Sequence, residues 1–125
     1  MILDTNALSA WLDGDPGIGK VLEQTSHLLL SPIVLGEYRF GILASRHRAQ
    51  YQERISMIED DLPTLSIDGN TAAHYAQVRQ ELKSQGTPIP WHDIWIAAQA
   101  RQHSLPILSR DTHFDEVSEI KRIGW

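Results

Sequence analysis

Short apolar runs alternate along this chain with longer amphipathic stretches. Runs of three or four residues that are aliphatic or β-branched predict buried strands, and they lie at residues 1–3, 27–30, 64–67, 106–109 and 120–123. Apolar residues at helical spacing between these runs predict helices over residues 5–12, 16–25, 32–43, 48–60, 69–84 and 91–103. Strands that alternate with helices of about a dozen residues indicate βαβ units.

The predicted helix ends carry the residue types that start and stop helices. Ser31 can act as an N-cap with Pro32 in the first helical position, where a missing N–H has no cost. Pro63 ends one helix, and Gly86 closes the next. We therefore expect an α/β fold in which a short parallel sheet of about five strands is flanked by helices, as a single domain spanning residues 1–125.

Composition narrows the class of function without assigning one. The chain has 125 residues, no cysteine and a formal net charge of −5, so disulfides and zinc–thiolate sites are excluded. Bulk attraction cannot hold nucleic acid at this net charge, and such a role needs a metal or a local basic patch. No apolar run approaches the length of about 20 residues that a membrane span needs. We expect a cytoplasmic protein with no membrane partner.

Acidic residues follow two of the predicted strands, where ligands bind in parallel sheets. Asp4 comes directly after the first strand, and Asp111 lies three residues past Leu108. Either residue alone is more often a turn former or a helix cap. Their position at one sheet edge nevertheless makes them candidates for a site.

Two further acids lie in apolar helices. Glu37 and Asp93 have apolar neighbours at most helical positions, and an unpaired buried carboxylate costs several kcal/mol. Taken singly, Asp93 could be an N-cap and Glu37 could pair with a neighbouring arginine. If all four acids converge, their repulsion requires a divalent cation, and oxygen ligands suit Mg²⁺ or Mn²⁺.

Other common sites are absent from the sequence. The six histidines show no pair at the short ligand spacing of a zinc site. The glycines form no phosphate-binding loop, and no Gly-x-Ser-x-Gly motif is present. Trp91 and Trp95, four residues apart, are better explained as core or interface residues than as a base-stacking platform.

Four motifs in register resemble those of the PIN-domain ribonucleases, and among them the toxins of bacterial VapBC-type toxin–antitoxin pairs. They are ILDTN at residues 2–6, LGEYRFG at 35–41, PWHDIWIAA at 90–98 and LSRDTHF at 108–114. Tyr38 stands where the family more often has Leu, and Ser109 stands where it has Thr. Asp115 also lies near the last motif but does not match its acidic position, which indicates a cap or a supporting acid.

The resemblance implies a metal-dependent endoribonuclease that inhibits translation by cleaving RNA. It implies Asp4, Glu37, Asp93 and Asp111 as catalytic residues, with Asp4, Asp93 and Asp111 as ligands of Mg²⁺, for which Mn²⁺ can substitute. Thr5, Asn6 and Ser109 would support the site. Candidates for contacts with RNA phosphates are Arg39, Arg46, Arg48 and Arg110.

The resemblance also implies partners. These are a cognate VapB-type antitoxin, the RNA substrate, a second copy of the chain in a homodimer, and operator DNA in a larger assembly with the antitoxin. Two alternatives remain open from the residues alone. One is a PIN-like binding module without catalysis, which would lack one of the acids. The other is a receiver-type phosphoacceptor domain, which would carry an acidic pair after the first strand.

Overall fold

The computed structural model describes residues 1–125 and contains three short strands and six α-helices. The strands are β1 (Ile2–Leu3), β2 (Ile107–Leu108) and β3 (Arg122–Ile123). The helices are α1 (Thr5–Leu12), α2 (Pro16–Glu23), α3 (Pro32–Ile42), α4 (Arg48–Asp61), α5 (Gly69–Gln85) and α6 (Trp91–His103), with a 3₁₀ helix at Thr112–Glu116. All six predicted α-helices are present, and the α/β class is confirmed.

The sheet is parallel and has β2 at the centre of the order β1-β2-β3. Ile2 pairs with Ile107 and Leu3 with Leu108, while β3 pairs with the other side of β2. The predicted strands at 27–30 and 64–67 contribute only single parallel bridges, Ile2 with Leu29 and Leu30 with Thr64. The predicted short parallel sheet is therefore present, and it consists of three strands and two segments that each add only single bridges.

A proline and a helix cap explain why the two bridged segments are so short. Pro63 has no N–H to donate to a neighbouring strand, so only its carbonyl takes part, by accepting the backbone N–H of Leu30 at 2.9 Å. On the other side, Leu30 is followed at once by Ser31, which is already the cap of α3. The Leu65 N–H returns to the Leu30 carbonyl at 2.9 Å, and regular pairing stops there.

The helix ends follow the sequence signals. The Ser31 hydroxyl accepts the N–H of Ile33 at 3.2 Å, and Pro32 occupies the first turn. Gly86 ends α5 with φ of 73°, a left-handed conformation that glycine adopts without a side-chain clash. Ser31 thus fixes where α3, which carries Glu37, begins, and Gly86 fixes where α5 ends.

One hydrophobic cluster of 23 buried residues holds the layers together. The residues of β1 and β2 are completely buried, and α6 buries seven of its thirteen residues against the sheet and α5. A two-sided cover of this kind explains why the strands are continuously apolar rather than alternating. No helix combines the length and the hydropathy that crossing a bilayer would require.

Candidate active site

The carboxyl edge of the sheet collects polar residues from the two ends of the chain. Asp4 follows β1 directly, and Ser109 follows β2 directly. Because the two strands are parallel and in register, both side chains emerge at the same edge. The Ser109 hydroxyl donates to Asp4 Oδ2 at 2.6 Å across a separation of 105 residues.

Asn6, in the first turn of α1, ties this pair to the next loop. Its side-chain amide donates to Asp4 Oδ2 at 2.8 Å, and its oxygen accepts the backbone N–H of Arg110 at 3.1 Å. The Ser109 hydroxyl in turn accepts the backbone N–H of Asp111 at 2.9 Å. These bonds hold the segment that carries Asp111 against the start of α1.

Glu37 and Asp93 reach the same place from two helices. Asp93 lies in the first turn of α6 but is not its N-cap, since the helix begins at Trp91 after Pro90. Glu37 has no arginine partner; its Oε2 accepts the Thr5 hydroxyl at 2.6 Å, and its Oε1 lies 3.2 Å from His92 Nε2. Both simple structural alternatives for these two acids are therefore wrong.

The four acids border one open pocket of about 310 Å³ that no hydrophobic residue lines. Its lining residues are Asp4, Thr5, Asn6, Ser9, Glu37, His92, Asp93 and Asp111. Ser109 lies behind the lining and is completely buried. The structure thus brings together every predicted acid and every predicted supporting residue.

Asp4 and Asp93 are the two deeply buried acids, each with 4% of its surface exposed. Burial raises the pKa of Asp4, the hydrogen bond from Ser109 opposes the rise, and the charges of Asp93 and Glu37 add to it. Burial likewise raises the pKa of Asp93, against hydrogen bonding by His113, while the charge of Asp111 raises it further. Burial and mutual repulsion in the pocket therefore disfavour the charged forms of Asp4 and Asp93.

No lysine or arginine pairs with either buried carboxylate. The only nitrogen groups of ionisable side chains that reach Asp93 belong to His92, at 3.5 Å, and His113, at 3.1 Å; Asp4 has no ion pair. Carboxylates that are buried and without a fixed cation are a donor set suited to a hard divalent ion. The residues present fit such an ion.

The predicted arginines lie in different surroundings. Arg39 pairs with Glu59 on α4. Arg110 lies over the ring of Trp125, 4.3 Å from its centroid, and 3.4 Å from Asp15 Oδ2. Arg46 and Arg48 are exposed at the start of α4. Of the four, only Arg110 is bonded to the site, through its backbone N–H to Asn6.

Two histidines at the site were missed by sequence reasoning. His92 contacts Glu37 and Asp93, and His113 Nδ1 lies 3.1 Å from both Asp93 Oδ2 and Asp111 Oδ1. A search for paired histidines on one element could not find them, because they come from α6 and from the 3₁₀ helix. Their signal was position, next to Asp93 and two residues after Asp111.

Asp115 lies outside the pocket. Both of its oxygens accept from the Arg122 guanidinium at 2.8 Å, and Arg122 also donates to the Ser109 carbonyl at 3.1 Å. Asp111 itself accepts the backbone N–H of His113 at 2.9 Å and so caps the 3₁₀ helix as well as facing the pocket. Asp115 therefore supports the backbone behind the site through Arg122.

The chain matches a protein-family model described as PIN domain over residues 1–120. Among curated relatives, Toxin FitB of Neisseria gonorrhoeae is 36% identical over 124 residues, covering 90% of this chain and 88% of the relative. Ribonuclease VapC2 of Haemophilus influenzae is 30% identical over 131 residues, covering 99% and 96%.

Solved structures share the architecture. The crystal structure of DNA-bound VapBC from Salmonella typhimurium contains a chain that superposes with a TM-score of 0.88 at 26% identity, covering 99% of this chain and 96% of that one. The superposition covers 99% of this chain and so spans the sheet and the four segments that carry the acids.

Proposed function

The chain belongs to the PIN-domain family, and from that premise we propose that it is a metal-dependent endoribonuclease and the toxin of a VapBC-type toxin–antitoxin pair. It inhibits translation by cleaving RNA. Its place of action is the cytoplasm, where the RNA used in translation is found. The names of the relatives, a toxin and a ribonuclease, support both halves of the proposal.

One observation carries the proposal. Four carboxylates from four separate segments border one pocket, and the two buried ones have raised pKa values and no lysine or arginine partner. A purely structural role would favour pairing or neutral replacement, because an uncompensated buried charge is destabilising. A cation bound by the four carboxylates would balance their charge and explain why they lie together.

Asp4, Asp93 and Asp111 are the proposed ligands of Mg²⁺, for which Mn²⁺ can substitute. When bound, the ion supplies a Lewis acid that offsets phosphate charge and makes water easier to deprotonate. The chain prepares the ligands: Ser109 and Asn6 both donate to Asp4 Oδ2 and so fix the orientation of that carboxylate.

Glu37 is the proposed base that orients the attacking water and takes its proton. The Thr5 hydroxyl holds Oε2 at 2.6 Å, which leaves Oε1 directed toward His92. Glu37 is half-buried, so water can reach it while its position stays fixed. Thr5 therefore acts as a positioning residue for the base.

Arg110 is the best placed of the four candidates for RNA phosphates. Trp125 and Asp15 hold its guanidinium beside the loop that carries Asp111, and the group is still about half exposed. A cation held next to the acids can bind a phosphate flanking the cleaved one. The proposed phosphate contacts also include three more peripheral residues, Arg39, Arg46 and Arg48. Arg39 would have to break its ion pair with Glu59 to bind a phosphate.

The partners follow from the family and from two apolar surfaces. A groove between α1 and α4, lined mainly by Trp11, Leu12, Leu28, Met57, Ile58 and Leu62, fits an apolar helix of the VapB-type antitoxin, with a basic antitoxin side chain pairing with the acids. Phe40, Leu43 and Trp91 are large and exposed, and they are candidates for a homodimer surface. Antitoxin and operator DNA complete the larger assembly.

The two alternatives have less support. An inactive binding module would be expected to lack an acid, and all four border the pocket. A receiver-type domain has no support from the family match, and a single Asp follows β1.

The test is cleavage of total RNA by purified protein with Mg²⁺, with excess chelator, and with Mg²⁺ restored. Cleavage that stops with chelator and returns with the ion is expected; full activity in chelator contradicts the metal mechanism. Expression in a bacterial host should arrest growth, and co-expression of the neighbouring gene should relieve the arrest. Growth that is unaffected by expression contradicts the toxin role.

A further inference from the structure

The ring of His113 lies between two of the proposed metal ligands, Asp93 and Asp111. Its Nδ1 lies 3.1 Å from Asp93 Oδ2 and 3.1 Å from Asp111 Oδ1. A neutral imidazole carries at most one proton on Nδ1, so it can serve both oxygens only through a bent three-centre hydrogen bond. Neither contact is then a linear hydrogen bond.

A shared cation would account for all three atoms. The His113 nitrogen and one oxygen each of Asp93 and Asp111 lie within 4.8 Å of one another. With metal–ligand bonds of about 2.1 Å, adjacent ligands of an octahedral ion lie about 3 Å apart. Both contacts of His113 have the separation of adjacent ligands on one ion.

The local backbone keeps this ring near the acids. The His113 N–H donates to Asp111 Oδ1 at 2.9 Å, so the first turn of the 3₁₀ helix fixes the two residues against each other. The side chain is 48% exposed, which leaves the ring accessible to an ion from solvent. His92 differs, since its shorter contact is to Glu37 rather than to a proposed ligand.

Resting on the metal dependence proposed above, we propose that His113 supplies a nitrogen ligand through Nδ1 and that this ligand makes the site favour Mn²⁺ over Mg²⁺. Imidazole nitrogen suits transition-metal ions, whereas Mg²⁺ prefers oxygen ligands and water. A site of carboxylates alone would discriminate less between the two ions. His113 is therefore a selectivity-determining residue of this chain.

The experiment is pulsed electron paramagnetic resonance of metal-stripped, tag-free protein loaded with less than one equivalent of Mn²⁺. Echo modulation detects a nitrogen bonded to the ion, and ¹⁵N-histidine labelling should change the modulation without altering the protein. Wild-type protein is expected to show nitrogen coupling. His113→Asn, which offers an amide in place of Nδ1, should lose the coupling, whereas His92→Asn should keep it, as should the exposed matched control His103→Asn.

Calorimetric titrations with Mn²⁺ and Mg²⁺ complete the test, with melting curves to verify that each variant is folded. His113→Asn should weaken Mn²⁺ binding about tenfold and Mg²⁺ binding much less. Mn²⁺ that binds wild-type protein without nitrogen coupling overturns the role of His113 and leaves the proposed function intact. Coupling that persists in His113→Asn also overturns it. Absence of any binding of either ion overturns both proposals.

Discussion

Two groups of buried polar side chains in this molecule differ in how completely the chain satisfies them. The neutral cluster consists of Ser31 and Gln99, both fully buried. The Ser31 hydroxyl donates to Gln99 Oε1 at 2.5 Å, and Gln99 Nε2 donates to the carbonyls of Leu65 and Ser66 at 3.4 Å each. The neutral cluster joins the start of α3, the middle of α6 and a bridged segment of the sheet.

The acid cluster consists of Asp4, Glu37, Asp93 and Asp111. Two of its members, Asp4 and Asp93, are almost as deeply buried as the neutral cluster, but their negative charges are not balanced by a lysine or arginine. Asp4 receives hydrogen bonds from Ser109 and Asn6, and Asp93 meets only histidine rings. The neutral cluster is thus complete without any added group, whereas the acid cluster carries excess negative charge. Burial of polar groups alone does not mark a site; burial with unbalanced charge does.

The largest expected effect is on catalysis by Asp93→Asn. The amide keeps the shape of the side chain but loses the charge that holds the ion, so RNA cleavage should fall on the order of a thousandfold or more. A cleavage assay with melting curves measures this, with Asp60→Asn on the exposed face of α4 as the matched control. Native-rate cleavage by Asp93→Asn, or unfolding of that variant, would show that Asp93 is structural.

Ser109→Ala should have the next largest effect, on metal affinity. The substitution removes the hydroxyl that donates to Asp4 Oδ2 and accepts the Asp111 N–H, so two proposed ligands lose their orientation. Mg²⁺ affinity measured by calorimetry should fall about 10- to 100-fold. Ser56→Ala, whose hydroxyl bonds only within α4, is the control. Equal affinities in the two variants would remove Ser109 from the site.

Gln99→Leu tests the neutral cluster and should affect stability rather than metal affinity. It leaves the Ser31 hydroxyl and two carbonyls without their partner, and the free energy of unfolding should drop by about 1–3 kcal/mol. Denaturant unfolding measures the loss. Metal affinity should stay at the wild-type value, because no ligand depends on this residue. A variant as stable as wild type would mean that the neutral cluster contributes nothing.

The smallest expected effect is the pH dependence of Asp4→Asn without metal. The folded pKa of Asp4 is raised above 3.8, so its contribution is fully favourable below that pH and is lost as pH rises through the folded value. The variant should therefore melt a few degrees above wild type near neutral pH, and the difference should shrink toward pH 3.8. A difference that does not change with pH contradicts the buried charge on Asp4.

The difference between the two proteins is the quantity to measure, not the melting temperature of either. Hydrogen bonds lower the pKa values of four other acids, Asp15, Asp68, Glu81 and Asp115. Their contribution to stability is lost in both proteins as pH falls and these groups are protonated. Subtracting the two curves removes this shared loss. What remains reports on the burial of Asp4 and on its repulsion with Asp93 and Glu37.

Local signals made most of the fold predictable. Ser31-Pro32 and Gly86 mark helix ends through interactions within a few residues, and the structure has both ends there. The strands at 27–30 and 64–67 were overestimated because apolar pattern does not report hydrogen bonding. Pro63 has no N–H to extend the pairing and Ser31 already caps α3, so pairing ends after one bridge.

The acids of the site and their supporting residues Thr5, Asn6 and Ser109 were predictable, but the two histidines and the partner of Arg39 were not. Asp4 and Asp111 follow strands, and Glu37 and Asp93 stand out against apolar surroundings, so composition along the chain was enough. The partners of Arg39 and His113 lie 20 residues away, on other helices, and only packing brings them together. Contacts between residues on separate helices produce no periodic pattern in the sequence.

The central claim is that the acid cluster is completed by a divalent ion and the neutral cluster is not. Thermal melting of metal-free wild-type, Gln99→Leu and Asp93→Asn protein with increasing Mg²⁺ tests it directly. The account predicts that Mg²⁺ raises the melting temperature of wild type and of Gln99→Leu by the same amount and leaves Asp93→Asn unchanged. An equal rise in Asp93→Asn, or no rise in wild type, would contradict it.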